Sequence, residues 1–347
     1  MRKYLRSSYV VILAVFMLSL GVLGGPGLNR AAAAQAGQLT PLKFVFLFKS
    51  ASVANFIVSD ERGFFKEEGL DVSFILPGGT ADALKLVASG EVPMGLAHST
   101  DTILARSRGV PIVSVGTNHQ FGTAGILAPA EKNIRGPKDL EGKTVGITGI
   151  PANRVMFEEF LKLNGVDATK VKTVVVGFGG LPILLGGRID AMGDAITWSE
   201  PIGLNLAKGK DPNDPSTHTY MPFYKFGLPR YYTFGIVASE SFLAGNADVV
   251  RRFLRAWKKG LEWSLSNPEA AVDYFVKRYP EMKRPQALGM WKEITTIAVG
   301  NDTKEHGLGW QDMDVWKKQA QFMLENKLIK APVDVTKAMT NDYLPGR

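Results

Sequence analysis

The 347-residue chain contains no cysteine. That excludes a disulfide scaffold, a zinc ribbon, a thiol nucleophile and a lipid-modified N-terminal cysteine. Histidine is scarce as well: His98, His119, His218 and His306 are all there are, and no two stand at the i,i+4 spacing that places two ligands on one helix face. There is no G-x-S-x-G elbow. Paired carboxylates occur only as surface-type runs such as Glu67-Glu68 and Glu158-Glu159, which read as solvated helix faces. Two fragments imitate phosphate-binding loops. Gly142-Lys143-Thr144 has Pro137 where the upstream glycine is required and runs into a strand-like segment, not a helix. Gly177-Phe178-Gly179-Gly180 has Pro182 in place of the third glycine of a dinucleotide fingerprint. Both read as turns, and neither a catalytic nor a metal-ligating set emerges.

What is present begins with an N-terminal address. Arg2, Lys3 and Arg6 precede an uncharged run at 9–23. Its length falls short of the ~20 residues that a helix needs to cross a bilayer. Ala31 to Ala34, Gln35 and Ala36 follow, the alternating small residues that signal peptidase reads. We expect residues 1–36 to be a signal peptide cleaved after Ala36, with Ala34 as the second choice and a membrane anchor as the alternative. The formal charge of the whole chain is +8. Without residues 1–36 it becomes +4, from 37 bases and 33 acids, with no basic run. Nucleic-acid binding thereby loses its electrostatic support. A 45% apolar share implies a real core, and the length suggests about two domains.

The rest alternates between two periods. Short apolar runs at 42–48, 71–76, 94–97 and 112–115 read as strands. Between them, 54–67 (stopped by Gly69), 80–88 (capped by Thr80) and 100–107 read as helices. A second series follows, with strands at 143–148, 172–176 and 189–192 and helices at 153–163, capped by Asn153, and 181–185. The Pro/Asp/Lys-rich segment 208–230 reads as a loop, and 231–238 as a returning strand. The C-terminal part is helical: 248–265 with apolar residues at 3.6-type spacing, a helix opened by Asn267-Pro268-Glu269, then 286–297 and 312–327. Strand–helix alternation implies an α/β protein built from right-handed βαβ units on largely parallel sheets.

Asp60-Glu61-Arg62-Gly63-Phe64-Phe65-Lys66-Glu67-Glu68-Gly69-Leu70-Asp71-Val72 resembles the G-F-F-x-x-E-G-L-D-V signature of periplasmic substrate-binding proteins of ABC importers. The resembling branch takes sulfonates, taurine, nitrate or thiamine-pyrimidine precursors. Further matches follow in the family's order: Leu86-Val87-Ala88-Ser89-Gly90-Glu91-Val92, Pro137-Lys138-Asp139-Leu140-Glu141-Gly142-Lys143, and Gly187-Arg188-Ile189-Asp190-Ala191. Gly227-Leu228-Pro229-Arg230-Tyr231-Tyr232 and the Gly309-Trp310-Gln311 region are similar to the pyrimidine-precursor branch. Thr197-Trp198-Ser199-Glu200-Pro201 is closer to the form of sulfonate binders, and the loop at 49–55 lacks the pyrimidine branch's Asn-His pattern.

The resemblance implies a type II periplasmic-binding-protein fold. Each of its two lobes would be a mainly parallel sheet flanked by helices, with the ligand cleft between them. We expect lobe 1 at 40–126 and 236–347, and lobe 2 at 127–235. It further implies a monomeric, non-catalytic, cofactor-free solute binder in the periplasm that docks on a membrane permease. A biosynthetic enzyme on the same fold is the alternative from another class, since some pyrimidine-branch relatives supply their own histidine as substrate.

Ligand sites on parallel sheets lie beyond the carboxyl ends of the strands. In lobe 1 that selects Lys49, Ser50, Asn55, Phe56, Gly79, Thr80, His98, Ser99 and Thr100; in lobe 2, Pro151, Asn153, Gly179, Thr197, Trp198 and Glu200. Trp198 can stack on a planar ring. Glu200 can accept from an amino group, whereas Lys49 and the helix starts at Thr80, Thr100 and Asn153 suit an anion. A planar nitrogen heterocycle leads, with small sulfonates as the runner-up.

Overall fold

A computed structural model describes residues 38–77 and 80–346. The expected signal peptide and Gly79 lie outside the described residues. Among these residues no helix is long and apolar enough to cross a membrane.

The described residues from Leu39 onwards form one compact unit. It holds two five-stranded sheets. The first contains β1 (Thr40–Val45), β2 (Leu70–Ile75), β3 (Met94–Ala97), β4 (Ile112–His119) and β10 (Thr233–Ser239), ordered β2-β1-β3-β10-β4. The second contains β5 (Ala124–Pro129), β6 (Thr144–Ile147), β7 (Lys172–Val175), β8 (Ala191–Ile196) and β9 (His218–Pro222), ordered β7-β6-β8-β5-β9. In each sheet the first three strands in that order run parallel, and the fourth is antiparallel to both its neighbours. Those odd strands, β10 and β5, are the ones by which the chain passes from sheet to sheet. The sheets are therefore mixed in pairing, although four strands of each share a direction. The chain crosses at 120–123 and 230–232, whereas the expected lobe boundaries fall inside β5 and β10.

Two of the expected elements need correction here. The segment 208–230 contains β9, a short edge strand whose half-polar HTYMP sequence carries no apolar run. The helix expected over 54–67 is two: α1 (Ala54–Glu61) and α2 (Phe64–Glu67), parted by Gly63 at φ +76. The remaining helices are α3 (Thr80–Ala88), α4 (Ser99–Ser107), α5 (Pro151–Leu163), α6 (Gly180–Leu185), α7 (Glu200–Ala207), α8 (Glu240–Ser266), α9 (Pro268–Arg278), α10 (Arg284–Ala298), α11 (Asn301–His306) and α12 (Met313–Glu325). In α8 Asn246 breaks the helical backbone, so the regular part begins close to the expected 248.

Stacked aromatic side chains run from β2 and the end of β1 into the helices α2 and α8. Phe44 stacks on Phe253 of α8 at 4.9 Å, Phe65 on Phe253 at 5.1 Å, and Phe46 on Phe74 at 4.5 Å. Such pairs contribute roughly 0.5–1.5 kcal/mol each beyond simple burial. The second sheet has its own core, around Val145, Ile147, Phe157, Phe160 and Phe223.

Candidate functional site

The carboxyl ends of the first sheet's parallel strands, together with the loop after β8, form one aromatic cluster. β1 runs on into Phe48, β3 into His98, and β4 ends at His119. β8 is followed by Trp198, which joins the first sheet's core and is only 3% exposed. Phe234, in β10, stands at the centre. Its ring lies 5.5 Å from Phe48, 5.5 Å from His98, 4.8 Å from His119 and 6.2 Å from Trp198. Phe48 and Trp198 are 5.8 Å apart. Phe234 has φ +55, a conformation that costs an L-residue roughly 1–2 kcal/mol. Its backbone N–H donates to His98 Nδ1 at 3.4 Å. A bulky residue in a sparsely populated conformation points to a site held against local preference.

Three polar atoms of this cluster are buried without a hydrogen-bond partner: Trp198 Nε1, His119 Nε2 and, from the first turn of α4, Asp101 Oδ2. Buried polar groups are normally paired, so three orphans around one cluster are a ligand-site signature. Burial controls their protonation. It pushes His119 down to about 3, with His98 adding to the effect. It lowers His98 against the pull of Asp101. It raises Asp101, opposed by His98 and its backbone N–H. No lysine or arginine belongs to the cluster.

The second sheet's side is hydrogen-bonded more fully. Thr197 N–H donates to Thr123 O at 2.9 Å, and the single Tyr220 hydroxyl hydrogen lies between two acceptors, Thr123 O at 2.6 Å and Ala195 O at 2.9 Å. Ile196 N–H donates to Glu200 Oε2 at 2.8 Å. Burial raises Glu200, and Asp194 adds to the shift. Asp194 itself accepts from Thr148 N–H and from Asn153 Nδ2 at 2.9 Å. Gly122, at the first crossing, has no room for a side chain, because a Cβ there would lie 2.1 Å from the Tyr231 ring. Tyr231 Oη in turn accepts from Ala124 N–H.

Of the residues expected at the site, His98 and Trp198 lie in the cluster, while Thr197 and Glu200 flank Trp198. Thr100 is half-buried in α4, adjacent in sequence to Asp101. Ser99 is committed inward, donating to Gln319 Oε1 at 2.6 Å. Lys49 pairs with Glu281 at 2.5 Å on the surface. Ser50 is buried and caps the turn at 51–53. Asn55 donates to Asn118 Oδ1 at 2.9 Å inside the fold, and Phe56 belongs to the core against Phe44. Asn153 does not cap its helix: α5 begins at Pro151, with Ile150 in the cap position, and the Asn153 amide is drawn to Asp194. Pro151 and Gly179 are exposed at the second sheet's strand ends. Thr80 is the first residue of α3.

Phe48, Asp101, His119 and Phe234 were not anticipated. Phe48 and His119 stand at strand ends, so the strand-end rule could have found them. Nothing in the sequence marks Asp101 or Phe234.

Residues 50–271 match the family model described as NMT1/THI5 like. The chain belongs to this family. It is 30% identical to the formylaminopyrimidine-binding protein of Halalkalibacterium halodurans over 278 residues, covering 80% of this chain and 82% of that one. It is 28% identical to the riboflavin-binding protein RibY of Chloroflexus aurantiacus, covering 84% and 82%. It is also 30% identical to the 4-amino-5-hydroxymethyl-2-methylpyrimidine phosphate synthase of Candida albicans, over 61% of this chain and 64% of that one. Among solved structures, the periplasmic aliphatic sulphonate-binding protein SsuA of Escherichia coli superposes with a TM-score of 0.67 at 13% identity, covering 86% and 92%. The fold of this family member is thus the periplasmic-binding-protein fold, and its relatives include both binders and synthases.

Proposed function

We propose that this protein is an exported solute-binding protein. It captures a small planar nitrogen heterocycle, such as a thiamine pyrimidine precursor, between two lobes built on the two sheets and delivers it to the permease of an ABC importer. The observation that carries this reading is the Phe48–Trp198–Phe234 cluster with its three orphaned polar atoms. Aromatic faces suit a planar ring, and a few convergent polar groups fix its orientation. The pyrimidine- and flavin-binding relatives support the same ligand class.

A sulfonate fits less well. Lys49, the cation expected to meet it, is tied to Glu281, and the acids at the site, Asp101 and Glu200, repel an anion when ionised. The synthase relatives keep an enzymatic role in view as the second reading. Against it stands a site of aromatic and orphaned hydrogen-bonding groups, with no nucleophile activated by a neighbouring base.

Thermal melting of the purified protein against pyrimidines, riboflavin, taurine, alkanesulfonates and nitrate tests the proposal. A solute at ~100 times its Kd adds ~2.7 kcal/mol of stability. Pyrimidines or riboflavin should raise Tm. A shift with sulfonates alone overturns the heterocycle reading, and turnover of a pyrimidine substrate overturns the non-catalytic one.

A further inference from the structure

We propose that His119 is a specificity residue that admits ligands carrying an N–H donor and turns away acceptor-only solutes; the proposal rests on the binding reading above and deepens it.

Thr233 has a single hydroxyl hydrogen, and it is donated to Phe121 O at 3.1 Å. The 3.3 Å contact between Thr233 Oγ1 and His119 Nδ1 must therefore be filled from the histidine side, by Nδ1–H. A neutral imidazole carries one N–H, so Nε2 is left as a bare lone pair. The ring is wholly buried against Phe234, and burial together with His98 keeps it neutral. Nε2 has no partner among the described residues. Such a lone pair is satisfied only by a donor.

A second orphan, Trp198 Nε1, and the neighbouring His98 add donors, while the third orphan, Asp101 Oδ2, accepts when ionised. Trp198 Nε1 is a donor and needs an acceptor. His98 Nδ1 accepts from Phe234 N–H, which places the proton of neutral His98 on Nε2 as a second donor. Around Phe234 the protein thus offers an acceptor at His119 and donors at Trp198 and His98. An amino-substituted heterocycle has the complement, an exocyclic N–H and a ring-nitrogen lone pair. A sulfonate or nitrate has acceptors alone and leaves His119 Nε2 unmet. A site built to hydrogen-bond a donor discriminates strongly against analogues without it.

The test uses two probes of one shape, 4-amino-2,5-dimethylpyrimidine and 4-methoxy-2,5-dimethylpyrimidine, titrated calorimetrically into the full protein. The amino probe should bind at least ~10-fold more tightly. In His119→Leu, which keeps apolar packing against Phe234, that preference should shrink to within about twofold, whereas His119→Gln, which retains an acceptor, should preserve it. Independently of any variant, two-bond 1H–15N spectra of the ligand-free protein should show His119 as the Nδ1–H tautomer. Equal binding of both probes, a preference that survives in His119→Leu, or an Nε2–H tautomer overturns the donor requirement and leaves the heterocycle reading standing. Failure of both probes to bind overturns the heterocycle reading and this inference with it.

Discussion

Burial sets the charge of His119 before any ligand arrives, and the sign of its effect on stability follows. Its folded pKa is pushed to about 3, below the ~6.5 of an unfolded histidine. Between those values the unfolded chain binds the extra proton and the folded chain does not. Stability is then fully present above pH ~6.5 and is lost as pH falls, by up to ~1.4 kcal/mol per unit for this one residue. His98 acts in the same direction. Asp101 has the opposite sign, because its raised pKa favours the folded state at low pH. Urea melts of the wild type between pH 6.5 and 4.5 should show the net fall, and His119→Gln should make it shallower. A slope unchanged in the variant rules out His119 as its source. The residue level was only partly legible in the sequence. His98 and Trp198 were reachable, because they follow strands and strand ends carry sites. Phe234 was not, since nothing in the identity of a phenylalanine foretells the positive φ it adopts. Asp101 was hidden for another reason: an acid in the first turn of a helix ordinarily serves the helix dipole.

The elements were more legible than their pairing. Alternation and Gly terminators placed most strands and helices near their observed positions, because burial periodicity and left-handed glycines such as Gly69 are local signals. β9 was missed because an edge strand needs no apolar run, and β10's antiparallel insertion between β3 and β4 has no local signal at all. Close approaches of elements are equally silent. Gly260 of α8 faces α1, where an added Cβ would lie 1.8 Å from Ser59 Oγ and 2.8 Å from the Asn55 carbonyl oxygen. On propensity alone Gly260→Ala should stabilise a helix interior by up to ~1 kcal/mol. Here overpacking, at ~1–3 kcal/mol, outweighs that gain, because a backbone carbonyl cannot rotate away as a side chain can. Gly260→Ala should therefore lower Tm in a thermal melt. Adding Ser59→Ala should recover part of the loss and no more, since the Asn55 oxygen still blocks the new methyl.

At the scale of the molecule, capture between the two proposed lobes implies that they close on the ligand, and Trp198 is an optical reporter for that closure. Of the six tryptophans, Trp257 and Trp263 on α8, Trp291 on α10, Trp310, and Trp316 on α12 belong to the C-terminal part that packs with the first sheet. Trp198 alone comes from the second sheet's segment, and it sits in the first sheet's core against Phe48 and Phe234. Parting the proposed lobes would draw its indole out of that apolar contact. A ligand that binds both lobes shifts the population towards the closed arrangement by its differential affinity. Saturating the protein with the amino-pyrimidine probe should therefore move tryptophan emission to shorter wavelength. Trp198→Phe, titrated to saturation so that loss of its N–H donor is overcome, should abolish the shift. A blue shift that persists in Trp198→Phe would falsify closure through this contact, because only the other indoles could then be reporting it.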